Sequence, residues 1–366
     1  MMTTARSGVS VLAAFVSFVA LSCKTAPPSP AVASSASGAA SAAPATDLAS
    51  GERTRLVGEI GRQLDAHYVF PEVGARMAAA VRDRAAHGAY DGASAKDFAR
   101  MVTTDMRDVS HDRHAMLEWT PPGAGDADDQ VWEAKMAKNR RTSGFTSVER
   151  RAGNVAYVVL DSFESPDGAR AAVAKHMTDV ADAEALIFDL RQNSGGDPDS
   201  VALVASYVFD RAPVHLNDLF WRDDGSTEQY FTQRDVAGTR FGAQKPVFIV
   251  TSHDTFSAGE EFAYDLQCLH RAEIVGEVTK GGAHPVARQK LSPLFMLRVP
   301  TGRAINPITK TNWEGVGVKP DVMVESALAP RTAHARALQA ILASSAAPPA
   351  KRAAQAALDA MGTPSP

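Results

Sequence analysis

The sequence predicts an α/β domain preceded by a small helical unit, and three observations carry that expectation. Short apolar runs bounded by turn residues alternate with helical patterns through the second half of the chain. The first patterned stretch, by contrast, repeats apolar residues at helical spacing alone. Hydrophobic residues make up 45% of the 366 residues, enough for a sizeable core.

Taken in order, the chain opens with Arg6 and an apolar run from Val9 to Leu21, too short to span a bilayer comfortably. This predicts an export signal over residues 1–23. Ser22-Cys23 at its end resembles the lipobox of bacterial lipoproteins, although Ala20 and Leu21 stand in roughly the reverse of the usual order. The resemblance implies a lipidated Cys23 that ties the chain to a membrane; the alternative is a plain secretory signal cut nearby. Export places the chain in the bacterial cell envelope or outside the cell. With Cys23 lipidated or removed, Cys268 has no partner for an intramolecular disulfide, and its apolar helical surroundings make it a small core residue. Residues 24–46 are Ala, Ser and Pro without an acidic or basic patch, a composition that cannot bury enough surface to offset chain entropy, hence a linker.

Residues 47–118 read as the helical unit. Leu56, Ile60 and Leu64 share one face of a first helix; Pro71 opens a second with Met77 and Val81; Ser94 precedes a third with Phe98, Met101 and Val102. Ala115 to Trp119 then looks like the entrance of a strand. Residues 120–142 are rich in Pro, Gly, Asp and Lys, hence loop, and leave no room for a PDZ domain. Residues 119–329 form the α/β domain. Its strands are expected at Val155 to Leu160, Ala185 to Leu190, Val247 to Thr251, Ile274 to Val278 and Phe295 to Val299, with helices near Asp199 to Phe209 and Gly259 to Leu269. Residues 330–366 are an Ala-rich tail, expected to hold one weak helix and then fray.

The charge balance, 38 basic against 42 acidic residues, gives no basic footprint for nucleic acid. No Cys/His spacing suggests a structural zinc site. Three segments could carry chemistry. From Leu186 to Asp197 a buried strand runs into Gly195-Gly196, where bare backbone N–H groups can face a ligand and stabilise an oxyanion; an ordinary strand-to-helix turn reads the same way. From Val247 to Phe262 a strand ends in a short polar loop, and Ser257 stands where a helix begins. A hydroxyl there is favoured as an anion by the helix dipole, and it is equally an N-cap with Glu260 in capping-box position. From Asn312 to Asp321, Glu314 sits between an aromatic residue and a glycine, placed either to orient a base or simply at the surface.

In this order the segments resemble a family. Asp189 to Gly196, Thr255 to Phe262, Gly276 to Pro285 and Gly315 to Asp321 are similar to the carboxy-terminal-processing serine peptidases, family S41, which include tail-specific proteases, the tricorn core peptidase and interphotoreceptor retinoid-binding protein repeats. Tyr68 to Glu72 and Ser110 to His114 are similar to the retinoid-binding-protein-like branch, and the resemblance spans about Leu56 to Val324.

It implies a spiral α/β domain of the ClpP/crotonase kind and hydrolysis of peptide or protein substrates through an acyl-enzyme on Ser257, with neither metal nor cofactor. Ala258 and Gly195 or Gly196 would form the oxyanion hole. Many members use a lysine base, but its slot is Gly282 here; Lys280, two residues earlier, would stand about 6–7 Å away along a strand. The tricorn-like arrangement instead implies His114 as base, with Glu314 orienting it through an auxiliary hydroxyl or water. Ser110 or His111 could substitute in the base role, His253 and His284 could contact substrate, and Asp254 reads as a turn residue. A non-catalytic module binding a hydrophobic ligand remains the rival from another class. An α/β-hydrolase esterase lacks support: Ser257 has no Gly-x-Ser-x-Gly elbow, and only His334 follows Glu314.

Overall fold

The computed structural model describes residues 48–121 and 143–362. The export signal, the whole of the linker, nearly all of the 120–142 loop and the last residues of the tail lie outside the described residues. None of the described helices is long and apolar enough to cross a membrane.

Three helices open the fold as the spacing predicts: α1 Ser50–His67, α2 Pro71–Ala86 and α3 Ala95–Ser110. Pro71 is at the start of α2, where its missing N–H is no loss, and the Ser94 side chain accepts from Asp97 N to cap α3. Their buried faces are close to those expected: Leu56, Ile60 and Leu64, then Met77 and Val81, then Phe98 and Val102, with Met101 only half-buried. They do not close a core by themselves. Leu117 of β1 (Met116–Trp119) and Phe295, Leu297 and Val299 of β10 (Phe295–Pro300) pack into the same cluster. β1, β10 and β9 (Val286–Lys290) form an antiparallel sheet in that order, so the helices are seated on strands drawn from the far end of the chain.

The centre is a six-stranded sheet in the order β12-β8-β7-β4-β3-β2, comprising β2 Phe145–Arg151, β3 Val155–Leu160, β4 Ala185–Asp189, β7 Val247–Thr251, β8 Glu273–Gly276 and β12 Val322–Met323. All neighbours are parallel except the β2–β3 hairpin. Its strands alternate strictly between two cores. Ala156, Val158, Leu186, Phe188, Ile249 and Ile274 face α4 (Pro166–Asp179), α5 (Pro198–Ser206) and α6 (Ala258–Cys268). Val155, Tyr157, Ile187, Phe248, Val250 and Val275 face α7 (Ala329–Ala343) and α8 (Pro348–Gly362). A second small antiparallel sheet, β11-β5-β6, joins Gly302–Ile305, His215–Trp221 and Thr227–Phe231.

The α/β class and the leading helices are therefore as expected. The carboxy-terminal stretch differs: it holds two helices, and α7 buries Ala329, Ala333, Ala337, Leu338 and Ile341 against the sheet. Its alanines are a close-packing surface, where lack of bulk lets helix and sheet approach. Cys268, expected in the core, is half-buried as the last residue of α6.

Candidate active site

Parallel sheets place functional loops beyond the carboxyl ends of their strands, and both Gly195-Gly196 and Ser257 lie there, after β4 and β7. Buried Asn193 fastens the two loops together. Its side-chain nitrogen donates to Leu160 O at 2.8 Å, its side-chain oxygen accepts from Gly195 N at 2.9 Å, and its carbonyl accepts from Phe256 N at 2.9 Å. Thr255 Oγ1 and Ser252 Oγ donate to the carbonyls of Leu190 and Arg191, at 2.8 and 2.7 Å.

Ser257 is held at φ 55° and ψ −123°, a conformation L-residues rarely adopt. Such strain needs surroundings that enforce it, and the Glu260 carboxylate supplies part of them. It accepts from Ser257 N at 2.9 Å, as a capping box requires, and also from Gly282 N at 2.8 Å, Gly281 N at 2.5 Å and Thr279 Oγ1 at 2.5 Å. One buried carboxylate thus ties the serine backbone to the Thr279–Gly282 loop; burial pushes it up to about 7 despite those donors. The sequence had shown Glu260 only as a cap.

Gly195 and Gly196 divide their roles. A methyl group on Gly195 would sit 2.6 Å from Ser257 Cβ, so the glycine is what lets the two loops meet. Its N–H is already donated to Asn193. Gly196 N and Ala258 N, by contrast, have no intramolecular acceptor among the described residues. Of the two candidate glycines, Gly196 is the one with a free amide.

Ser257, Ala258, Gly196, His114, Gly282, His284 and Trp313 line one cavity of about 230 Å³. His114 is buried, stacks on Phe256 at 4.4 Å between ring centroids, and leaves Nδ1 without a partner. Burial pulls its imidazole down to about 4. Glu314 Oε2 accepts from Ala283 N at 2.5 Å, while Oε1 is buried and unpartnered; burial, then the nearby Asp112 charge, pushes this carboxyl up to about 7. Trp313 Nε1 donates to Gly282 O at 2.7 Å and fixes the glutamate loop against the cavity wall.

Glu314, Gly195 and the remaining candidates are not among the residues that line this cavity. Ser110 Oγ donates to Met106 O at 2.9 Å at the end of α3, and His111 is exposed in the left-handed C-cap position at φ 58°. Lys280 is exposed, its ammonium 5.1 Å from the Phe256 ring centroid. His253 is exposed and bonds Glu277 at 3.0 Å. Asp112, which the sequence did not single out, is buried beside His114 and is 2.7 Å from His284 Nδ1. The two residues lie 172 positions apart, and no local pattern links them.

Residues 154–324 match the profile of Peptidase family S41, and the chain resembles that family of serine-type peptidases. Two curated relatives follow. A tail-specific protease of Haemophilus influenzae is 33% identical over 105 residues, covering 27% of this chain and 13% of the relative. A carboxyl-terminal-processing protease of Synechocystis is 27% identical over 187 residues, covering 49% and 40%. The chain thus matches well under half the length of either. Among solved structures, a lipoprotein of Streptococcus agalactiae superposes with TM-score 0.53 at 14% identity, covering 79% of this chain and 96% of that one. A protein of Parabacteroides merdae does so with TM-score 0.52 at 16% identity, covering 75% and 90%. At such identities the superpositions speak to the fold alone.

Proposed function

We propose that the chain is an exported serine endopeptidase that hydrolyses peptide bonds through an acyl-enzyme on Ser257. The observation that carries this reading is the shared cavity. A serine at a helix start, two bare amides and an imidazole line one small space at the carboxyl ends of β4 and β7. His114 takes the Ser257 proton as Oγ attacks the scissile carbonyl, and the Gly196 and Ala258 amides hold the oxyanion. The amine leaves carrying a proton, water bonds the acyl carbon and gives up one proton in its place, and Ser257 departs with the proton that His114 had taken. Glu314 orients His114 through an intervening hydroxyl or water. Two partnerless buried atoms, His114 Nδ1 and Glu314 Oε1, support that link. A second cavity of about 700 Å³ shares Gly196, Pro198, Leu219 and Pro285 with the first, and gives an extended substrate room beyond the scissile bond.

Gly282 bears on the choice of base. A methyl group there would meet His114 Cε1 at 2.7 Å and Phe256 Cε2 at 2.3 Å, so the lysine slot of the resembled peptidases is taken up by the imidazole and its stacking ring. Lys280 points to Phe256 and is exposed, which disfavours it as base. Export rests on the amino-terminal signal, and membrane anchoring on lipidation of Cys23.

The test is turnover of an internally quenched peptide library by wild type, Ser257→Ala, His114→Ala and Lys280→Ala. The first two variants should lose at least about 100-fold in kcat/KM, and Lys280→Ala should stay near wild type. Turnover persisting in Ser257→Ala would remove the mechanism. Normal turnover in His114→Ala with loss in Lys280→Ala would restore the lysine base.

A further inference from the structure

The cavity beside Ser257 contains a second imidazole, that of His284. Its Nδ1 stands 2.7 Å from Asp112 Oδ2 and 3.5 Å from Glu314 Oε2. Asp112 is only 1% exposed and is itself fixed: it accepts from the Tyr68 hydroxyl at 3.1 Å and from His114 N at 2.9 Å. Phe70 closes on the His284 ring edge-on at 5.6 Å. The ring is therefore locked with Nδ1–H donated to a buried carboxylate. Nε2 has no intramolecular partner among the described residues. A buried aspartate fixes the tautomer and the direction of a catalytic imidazole in this way. Asp112, His284 and Glu314 offer potential metal-ligand atoms within 4.8 Å of one another. At hydrogen-bond distance, however, a proton rather than a cation lies between the imidazole and Asp112.

The surroundings of the two histidines differ in charge. His114 loses more by burial than it gains from Asp112, with His284, Arg298 and Arg107 adding repulsion. For His284, burial opposes the cation and Arg303 repels it, but the Asp112 hydrogen bond, the Asp112 charge and the Glu314 charge prevail and raise its pKa. Neighbouring groups pushed in opposite directions suit the roles of base and acid.

We infer that His284 is a further catalytic residue, whose Nε2–H gives its proton to the amine leaving group, with Asp112 as its positioning residue. The inference rests on the Ser257–His114 reading and adds a proton donor to it. In acylation, Ser257 Oγ bonds the carbonyl carbon and its proton passes to His114; as the C–N bond breaks, the amine nitrogen takes the proton of His284. In deacylation, water bonds the acyl carbon and gives a proton to neutral His284, while the Ser257 oxygen leaves and recovers its proton from His114. Both imidazoles then stand as they began, and one water has been consumed.

The experiment compares a quenched peptide with p-nitrophenyl acetate, whose nitrophenolate leaves without a proton. In His284→Asn the ratio of amide to ester turnover should fall about 100-fold or more. In Asp112→Asn the alkaline limb of amide kcat/KM should move to lower pH, because the cation loses its counter-charge. Equal loss on both substrates, or loss on neither, in His284→Asn would overturn the inference. So would an alkaline limb unmoved by Asp112→Asn. Amide turnover surviving in Ser257→Ala would instead sink the underlying reading, so the two failures are distinguishable.

Discussion

On the proposed mechanism, Gly282 is where a missing side chain makes room for the base. Its lack of a Cβ leaves space for the His114 ring, and Gly282→Ala would drive a methyl group to 2.7 Å from that ring. The variant should fold, because the atoms in its way belong to side chains, yet displacing a base by about 1 Å is expected to lower kcat/KM on the order of 100-fold. A circular-dichroism melt beside the peptide assay separates the two effects. The pH profile is set at this scale as well. On the proposed mechanism His114 must be neutral to act, and burial pulls it down to about 4, so kcat/KM should rise with pH through about 4 to a plateau that ends only at the alkaline limb set by His284. A steady-state profile with its acid limb near 6.5, the ordinary histidine value, would mean another group is the base. Ser257 was legible in the sequence because a small polar residue between an apolar run and a helical pattern marks a strand-to-helix junction. The Asp112–His284 contact was not, since the two residues stand 172 positions apart and only the fold brings them together.

Helix α6 carries more buried acid than a helix of eleven residues readily accommodates. Glu260 is used by the Thr279–Gly282 loop, but Glu261 and Asp265, one turn apart, face the interior with one amide partner each, from Asn217 and Asn306. Burial, and then the Glu261 charge, holds Asp265 well above the usual carboxylate range. The folded chain therefore keeps a proton that the unfolded chain releases near 4. Stability linked to that proton is complete below the unfolded value and declines as pH rises toward the folded one. Urea unfolding between pH 5 and 7 should show this fall, and Asp265→Asn, which cannot titrate, should flatten it by at most about 1.4 kcal/mol per pH unit. Parallel curves for the two proteins would assign the slope elsewhere. Elements differ in legibility for a related reason. β3, β4 and β7 are apolar at nearly every position and were located to within a residue. β2 and β6 carry Glu, Arg, Thr and Gln on exposed faces and gave no run to read. Helix α4, with alanines and charges interspersed, was likewise missed.

For the whole molecule, the six-stranded sheet is a shared wall whose two faces serve different purposes. One face, with α4, α5 and α6, builds the loops that hold Ser257 and the bare amides. The other is covered by α7 and α8. The sequence suggested a fraying tail because Ala-rich stretches lack the large apolar residues by which buried helices are recognised. Leu338 and Ile341 are the only bulky side chains buried within α7, and Ala354 and Ala357 the only residues buried in α8. Two truncations separate the contributions. Ending the chain after Ala346 removes α8 and exposes mainly alanine, so the protein should remain folded, with a melting temperature lowered by several degrees. Ending it after Leu328 also removes α7 and bares Val155, Tyr157, Ile187, Phe248, Val250 and Val275, a contiguous apolar face. Loss of Leu338 and Ile341 alone is worth about 2–5 kcal/mol each by the usual cost of deleting such side chains, which approaches the whole stability of a typical domain. That product should be insoluble or unfolded, whereas Leu338→Ala in the full chain should stay folded and destabilised within that range. Recovery of a soluble, cooperatively melting protein ending at Leu328 would show that the sheet needs no second layer.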